Sequence, residues 1–180
     1  MRPTALFSTL LALPTLALAA SITSGQSYKI TNSKAGTVVD LSAGDNSSVI
    51  GWPYHGGSNQ HWTLDWAGEG WNFRSLATGE YIGLAGDATD EGADSIADGT
   101  RLEATADAFT WHIWTDPEVE GAYRIFAPNT NQVFDLYGHG DATPGTPITT
   151  WYTWDAAHQA WAFDEGEWMY DGVCLITARL

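Results

Sequence analysis

Apolar and polar residues alternate in short runs along most of the chain, and the same alternation returns three times. Tyr28, Trp71 and Tyr123 are each followed two positions later by Ile30, Phe73 or Ile125, which predicts a strand with one face turned inward. A turn containing Gly or Asn follows, then a second short apolar run ending at Leu41, Leu84 or Leu136. Each copy is therefore expected to open as a hairpin. Apolar segments are rich in Val, Ile, Tyr and Trp, with Gly, Asn, Asp and Pro between them and no sustained 3.6-residue period. That pattern predicts an all-β domain with at most a helical turn in its loops.

The recurrence is a true internal repeat. Residues 28–41, 71–84 and 123–136 align without a gap, and residues 49–62 align without a gap on 148–161. The units, about 27–66, 70–116 and 122–164, close on Trp62, Trp111 and Trp161, spaced 49 and 50 residues apart. A propeller needs at least four blades of about this size. Three units unable to bury their apolar faces alone fit a closed threefold barrel capped by hairpins.

Outside the repeats, the basic start at Arg2, the apolar run Ala5–Ala19 and small residues at Ala17 and Ala19 predict a secretory signal peptide over 1–19. The domain is expected over 20–166 and the localisation extracellular, with a tail over 167–180 that has no counterpart in the repeat. Seven basic against 22 acidic residues give a net charge of −15, which disfavours nucleic acid and anionic membranes as partners. No later apolar run is long enough to insert into a bilayer. Cys174 is the single cysteine, so no internal disulfide can form and packing must hold the fold.

Signs of catalysis and cofactors are lacking in the sequence. Five scattered histidines lack zinc spacing. Asp87, Asp90, Glu91, Asp94 and Asp98 crowd one loop without the alternating ligands of a calcium loop, and are read as a solvated acidic insertion. Asn46-Ser47-Ser48 is a glycosylation sequon in a predicted turn.

Gln60-His61-Trp62 and Gln159-Ala160-Trp161, in phase with the matching first halves, resemble the Gln-x-Trp motif of ricin-B-type lectins, small secreted fungal members above all. The resemblance implies a β-trefoil and a carbohydrate-binding, non-catalytic protein for glycans or glycoproteins, of galactose or N-acetylhexosamine type. In such a lectin an Asp ending the second strand and a nearby Asn bind hydroxyls, while an aromatic on the third strand stacks on the sugar. Carried over, these are Asp40, Trp52 and Asn59 in the first repeat and Asp135, Trp151 and His158 in the third, with His55 and Trp154 as accessory positions. Gln60, Gln159, Trp62, Trp111 and Trp161 are assigned structural roles. The second repeat has Gly83, Glu103 and Ala108 at the aligned site positions and is expected not to bind. The family's cysteine pair is missing, with Tyr54 and Thr153 at one position. A β-trefoil protease inhibitor and a polysaccharide-targeting module are the alternative functions, since one fold hosts several.

Overall fold

The computed structural model describes residues 21–86 and 96–166. Its strands are β1 Gln26–Asn32, β2 Val38–Leu41, β3 Val49–Trp52 and β4 Trp62–Trp66 in the first repeat. The second repeat holds β5 Trp71–Ser75, β6 Tyr81–Leu84, β7 Leu102–Thr105 and β8 His112–Thr115. The third holds β9 Tyr123–Phe126, β10 Gln132–Leu136, β11 Thr146–Tyr152 and β12 Trp161–Glu165.

The first and last strands of each repeat build the barrel wall. Strand β1 pairs with β4 and β12, β4 with β5, β8 with β9, and β9 with β12. A Trp71–Trp111 bridge joins β5 to the start of β8, which closes the ring. The inner strands form hairpins β2–β3, β6–β7 and β10–β11. Thr146–Gly51, Ser48–Glu103 and Arg101–Thr149 pairings link these hairpins to one another, so three hairpins form one cap.

Each repeat opens as a hairpin, and a short one: its antiparallel strands share a single register pair, Thr31–Val38, Arg74–Tyr81 or Val133–Phe126. After β1 the chain turns out of the wall on Gly36 at φ 71°, with Gly36 N–H donating to the Asn32 carbonyl. The second strand then leaves for the cap and zips to the third.

Trp62, Trp111 and Trp161 are fully buried, together with Tyr28, Phe73 and Phe134. At about 25 cal/mol per Å² and 150–250 Å² per aromatic, each contributes roughly 4–6 kcal/mol of apolar transfer. The three indoles also carry a polar tie. Nε1 of each donates to a carbonyl on the second strand of its own repeat: Val39 at 3.0 Å, Ile82 at 2.9 Å and Phe134 at 3.2 Å. Those carbonyls belong to the residues just before Asp40, Gly83 and Asp135, so the core tryptophans fix the strand on which any site carboxylate stands.

The repeats differ in two connections. Leu41 and Val49 pair across an eight-residue spacing, and their counterparts Leu136 and Ile148 across twelve. The longer connection contains α1, Tyr137–Gly140, in which Gly138 and His139 are left-handed at φ 67° and 57°. From Thr105 to Trp111 the chain runs six residues, against ten from Trp52 to Trp62 and from Trp151 to Trp161.

Candidate functional site

In the first repeat, Asp40 lies in β2 with its side chain reaching the 3₁₀ turn Ser58–Gln60. Its Oδ2 accepts from Gln60 Nε2 at 2.8 Å and Asn59 Nδ2 at 3.0 Å, with His55 Nε2 at 3.6 Å. Among the described residues no hydrogen bond reaches Oδ1. Gln60 ties the loop as well: Nε2 donates to the Pro53 carbonyl, while Oε1 accepts from His55 N and Gly56 N. Those amides would otherwise be unpaired. Trp52, two residues along β3 from the partner of Asp40, is 39% exposed. Asp40 is thus a strand residue with one engaged and one free carboxylate oxygen beside an exposed indole. Burial raises its pKa, against the hydrogen bond from Gln60, the charge of His55 and the hydrogen bond from Asn59.

The third repeat rebuilds this arrangement. Asp135 Oδ2 accepts from Gln159 Nε2 at 2.8 Å, and Gln159 Oε1 accepts from Trp154 N at 2.9 Å. His158 takes the place of Asn59 on the 3₁₀ turn Ala157–Gln159, with Nε2 3.2 Å from Asp135 Oδ2 and 3.2 Å from Trp154 Nε1. It accepts from the indole with its proton on Nδ1, or donates to the carboxylate with its proton on Nε2, so the tautomer chooses the partner. Burial lowers the His158 pKa to about 4 and raises that of Asp135 to about 6, the latter opposed by the hydrogen bond from Gln159. Above about pH 4 His158 is neutral, so the pair is no ion pair. Around it lies a pocket of ≈ 170 Å³ walled by Tyr137, Trp151, Trp154 and His139.

A carboxylate oxygen beside a partly exposed indole can accept hydroxyl hydrogen bonds while the ring covers an apolar face, the chemistry that a sugar ring requires. Comparison with known proteins places the chain in a family. The model for ricin-type β-trefoil lectin domain-like proteins matches residues 17–98 and again 59–151. A ricin B-like lectin of Macrolepiota procera, solved in complex with lactose, is 52% identical, with TM-score 0.76, over 82% of this chain and 100% of its own. The chain belongs to the ricin-B-type lectin family. The Rhizoctonia solani agglutinin is 25% identical with TM-score 0.69, covering 82% of this chain and 99% of its own. A designed threefold-symmetric protein, ThreeFoil, shares the β-trefoil at 20% identity and TM-score 0.66, covering 76% and 96%. No curated protein matched.

Within this ricin-B-type trefoil the second repeat has a different site-equivalent residue from the one expected. Register pairs Val38–Trp52, Val133–Trp151 and Tyr81–Thr105 put Thr105 at the aromatic position, while Glu103 faces Gly83. The alignment slips because the connection before Trp111 is shorter. A Cβ on Gly83 would lie 2.5 Å from Thr105 Oγ1, so an Asp does not fit there without rearrangement. Phe109, in place of the loop-tying Gln, packs tilted against Trp111 with ring centroids 4.5 Å apart. With fewer loop amides to satisfy, an apolar contact replaces a polar one.

Three residues around the third site escaped the sequence reading. Tyr137 and His139 come from the longer connection, which the unequal spacing after Leu136 could have flagged. Arg124 lies behind the site, donating from Nη1 to Thr153 Oγ1 at 3.1 Å, Gln159 Oε1 at 3.2 Å and the Trp154 carbonyl; its counterpart Lys29 is its only signal.

Of the acidic insertion, Asp98 is among the described residues and is not merely solvated: Oδ1 accepts from Tyr152 N at 2.7 Å and Gln132 Nε2 at 3.0 Å. Asp87, Asp90, Glu91 and Asp94 lie outside the described residues, as do the 1–19 leader and the 167–180 tail with Cys174. Asn46 is exposed at φ 52°, in a turn where Asp45 accepts from Ser47 N and Ser48 N.

Proposed function

We propose that the protein is a secreted, non-catalytic lectin with two glycan sites, one in the first repeat and one in the third. The observation that carries this reading is the twice-built unit of a glutamine-held carboxylate beside a tryptophan, exposed at Trp52 and half-buried at Trp151. Asp40, Trp52 and Asn59 contact the sugar in the first site, and Asp135, Trp151 and His158 in the third, with His55 and Trp154 at the rims. The 52% identity to a lectin crystallised with lactose favours a galactose-containing ligand. Each site holds one carboxylate among the described residues, whereas glycoside hydrolysis uses a facing pair. Two sites on one rigid body raise avidity for a multivalent surface.

Calorimetric titration with lactose tests the proposal, with about two sites per chain expected. Asp40→Asn keeps the size and loses the charge; charge-assisted hydrogen bonds are worth about 1.5–3 kcal/mol, so first-site affinity should fall at least about tenfold. A stoichiometry of three, or Asp40→Asn lowering the melting temperature with first-site affinity intact, contradicts the assignment. Inhibition of a protease with no glycan bound would replace the lectin reading by the inhibitor one.

Acidification should silence the third site. Ionised Asp135 is the form that accepts hydroxyl hydrogen bonds, and its pKa is raised to about 6. Neutral His158 does not titrate until about pH 4. Third-site affinity is therefore full well above pH 6 and falls as pH drops through 6, by about tenfold one pH unit below it. Titration at pH 7.5 and 5.0 reads this; equal third-site affinities would show that the Asp135 charge plays no part.

A further inference from the structure

The two sites differ in one wall. After β2 the chain folds back on itself through Asp45, whose carboxylate accepts from Ser47 N, Ser48 N and Ser48 Oγ. After β10 the four additional residues carry the left-handed turn at Gly138 and His139 over the pocket. This strap is held at several points. Lys34 Nζ from the first repeat donates to the His139 carbonyl at 2.6 Å. Gly140 packs so closely that a Cβ would lie 2.8 Å from His158 Cβ and 3.0 Å from Lys34 Cδ. The His139 ring stacks on Trp154 at 5.6 Å and 28°, and meets His158 edge-on at 5.7 Å. A non-glycine residue held left-handed is uncommon and costs conformational energy, yet here it places an imidazole at the mouth of the site.

On the reading that both sites bind sugar, we propose that the Tyr137–Gly140 strap makes the third site a pocket for an unsubstituted, chain-terminal sugar residue, whereas the first site accepts residues that carry further substituents. A pyranose entering the third site meets Trp151 and Tyr137, with ring centroids 6.4 Å apart, and the His139–Trp154 stack. Asp135 and His158 also line the pocket. A second sugar attached to the inserted residue anywhere but at its anomeric carbon, through which the rest of the glycan leaves the pocket, would have to pass through the strap. In the first site the corresponding connection is four residues shorter, and the pocket walls supplied by Tyr137 and His139 have no counterpart in its spacing.

The test uses the full domain and the assigned indole N–H resonances of Trp52, Trp151 and Trp154, which report the sites separately. The probes are lactose and neutral lactose derivatives whose terminal galactose carries α-fucose on its 2-hydroxyl or α-glucose on its 3- or 4-hydroxyl, caps that present no new terminal galactose. Lactose should shift all three resonances, and at least one capped derivative should shift Trp52 while leaving Trp151 and Trp154 unmoved. His139→Gly keeps the fold, because glycine adopts φ 57° freely and the Lys34 tie is to the main chain. In that variant a capped derivative should now shift Trp151 and Trp154, gaining at least tenfold at the third site. Capped sugars binding the native third site as well as lactose does would overturn the proposal, as would unchanged selectivity in His139→Gly or a first site that refuses every capped sugar. Lactose moving Trp52 alone would remove the third site and this inference with it. Lactose moving none of the three would instead refute the sugar-binding reading itself.

Discussion

Trp62→Ala is expected to remove about 3–5 kcal/mol of stability, the range for deleting a buried aromatic, a large share of the roughly 5–15 kcal/mol that holds a domain together. Trp62 has no solvent exposure, pairs across the wall with Tyr28 and Ser75, and donates from Nε1 to the Val39 carbonyl at 3.0 Å. Alanine leaves both a cavity and a buried carbonyl without its donor. Trp62→Phe separates the two, since it keeps most of the apolar area and loses only the N–H; the unpaired carbonyl costs about 1–3 kcal/mol. Thermal and urea unfolding measure both variants. The midpoint of Trp62→Ala should fall by roughly 6–20 °C, at about 2–4 °C per kcal/mol for a domain this long. A drop of only a few degrees would mean that the barrel closes around the gap and that the motif tryptophan is not a keystone of the core.

The same tryptophan explains why the fold was readable from the residues. Its position recurs at 49 and 50 residues because each repeat needs one large indole at the barrel end, and inward alternation at Tyr28 and Ile30 is a local property that a strand imposes on sequence. The first-site constellation was readable for the same reason: Asp40, Trp52 and Asn59 keep fixed spacings inside one repeat. What stayed hidden depends on partners far along the chain. The His139 strap is docked by Lys34, 105 residues away, and Tyr-Gly-His-Gly alone says only that a loop is present. Glu103 stood where Thr105 belongs because only six residues, against ten in the other repeats, separate that strand position from Trp111, so no gapless count locates it. The brevity of the β1–β2 pairing was likewise invisible, since an apolar run bounded by turns does not tell which neighbour it pairs with.

The second large effect is expected at Arg124, whose sequence context is that of an ordinary strand residue. Its side chain is 5% exposed and that of Asp116 not at all, and Nε meets Asp116 Oδ2 at 2.7 Å. Asp116 Oδ1 meanwhile accepts from Glu118 N and Val119 N at 2.8 Å each, so the carboxylate holds the turn between β8 and β9 whether or not the arginine is present. Arg124→Met fits the volume but strands that carboxylate in the interior, a change that costs about 3–5 kcal/mol when one partner of a buried pair is removed. It also frees Gln159 Oε1, Thr153 Oγ1 and the Trp154 carbonyl from Nη1, which should loosen the rim of the third site and leave the first, built on Asp40 and Gln60, unchanged. Adding Asp116→Asn removes the stranded charge while keeping an acceptor for the two turn amides, so the double variant should regain much of the stability lost by Arg124→Met. Third-site affinity should stay reduced in both, because neither restores the donor to Gln159. Unfolding curves and the indole resonances of Trp52 and Trp154 read the two effects in one set of samples. Full recovery of third-site binding in the double variant would show that Arg124 serves only to neutralise Asp116, and that Gln159 holds the site without it.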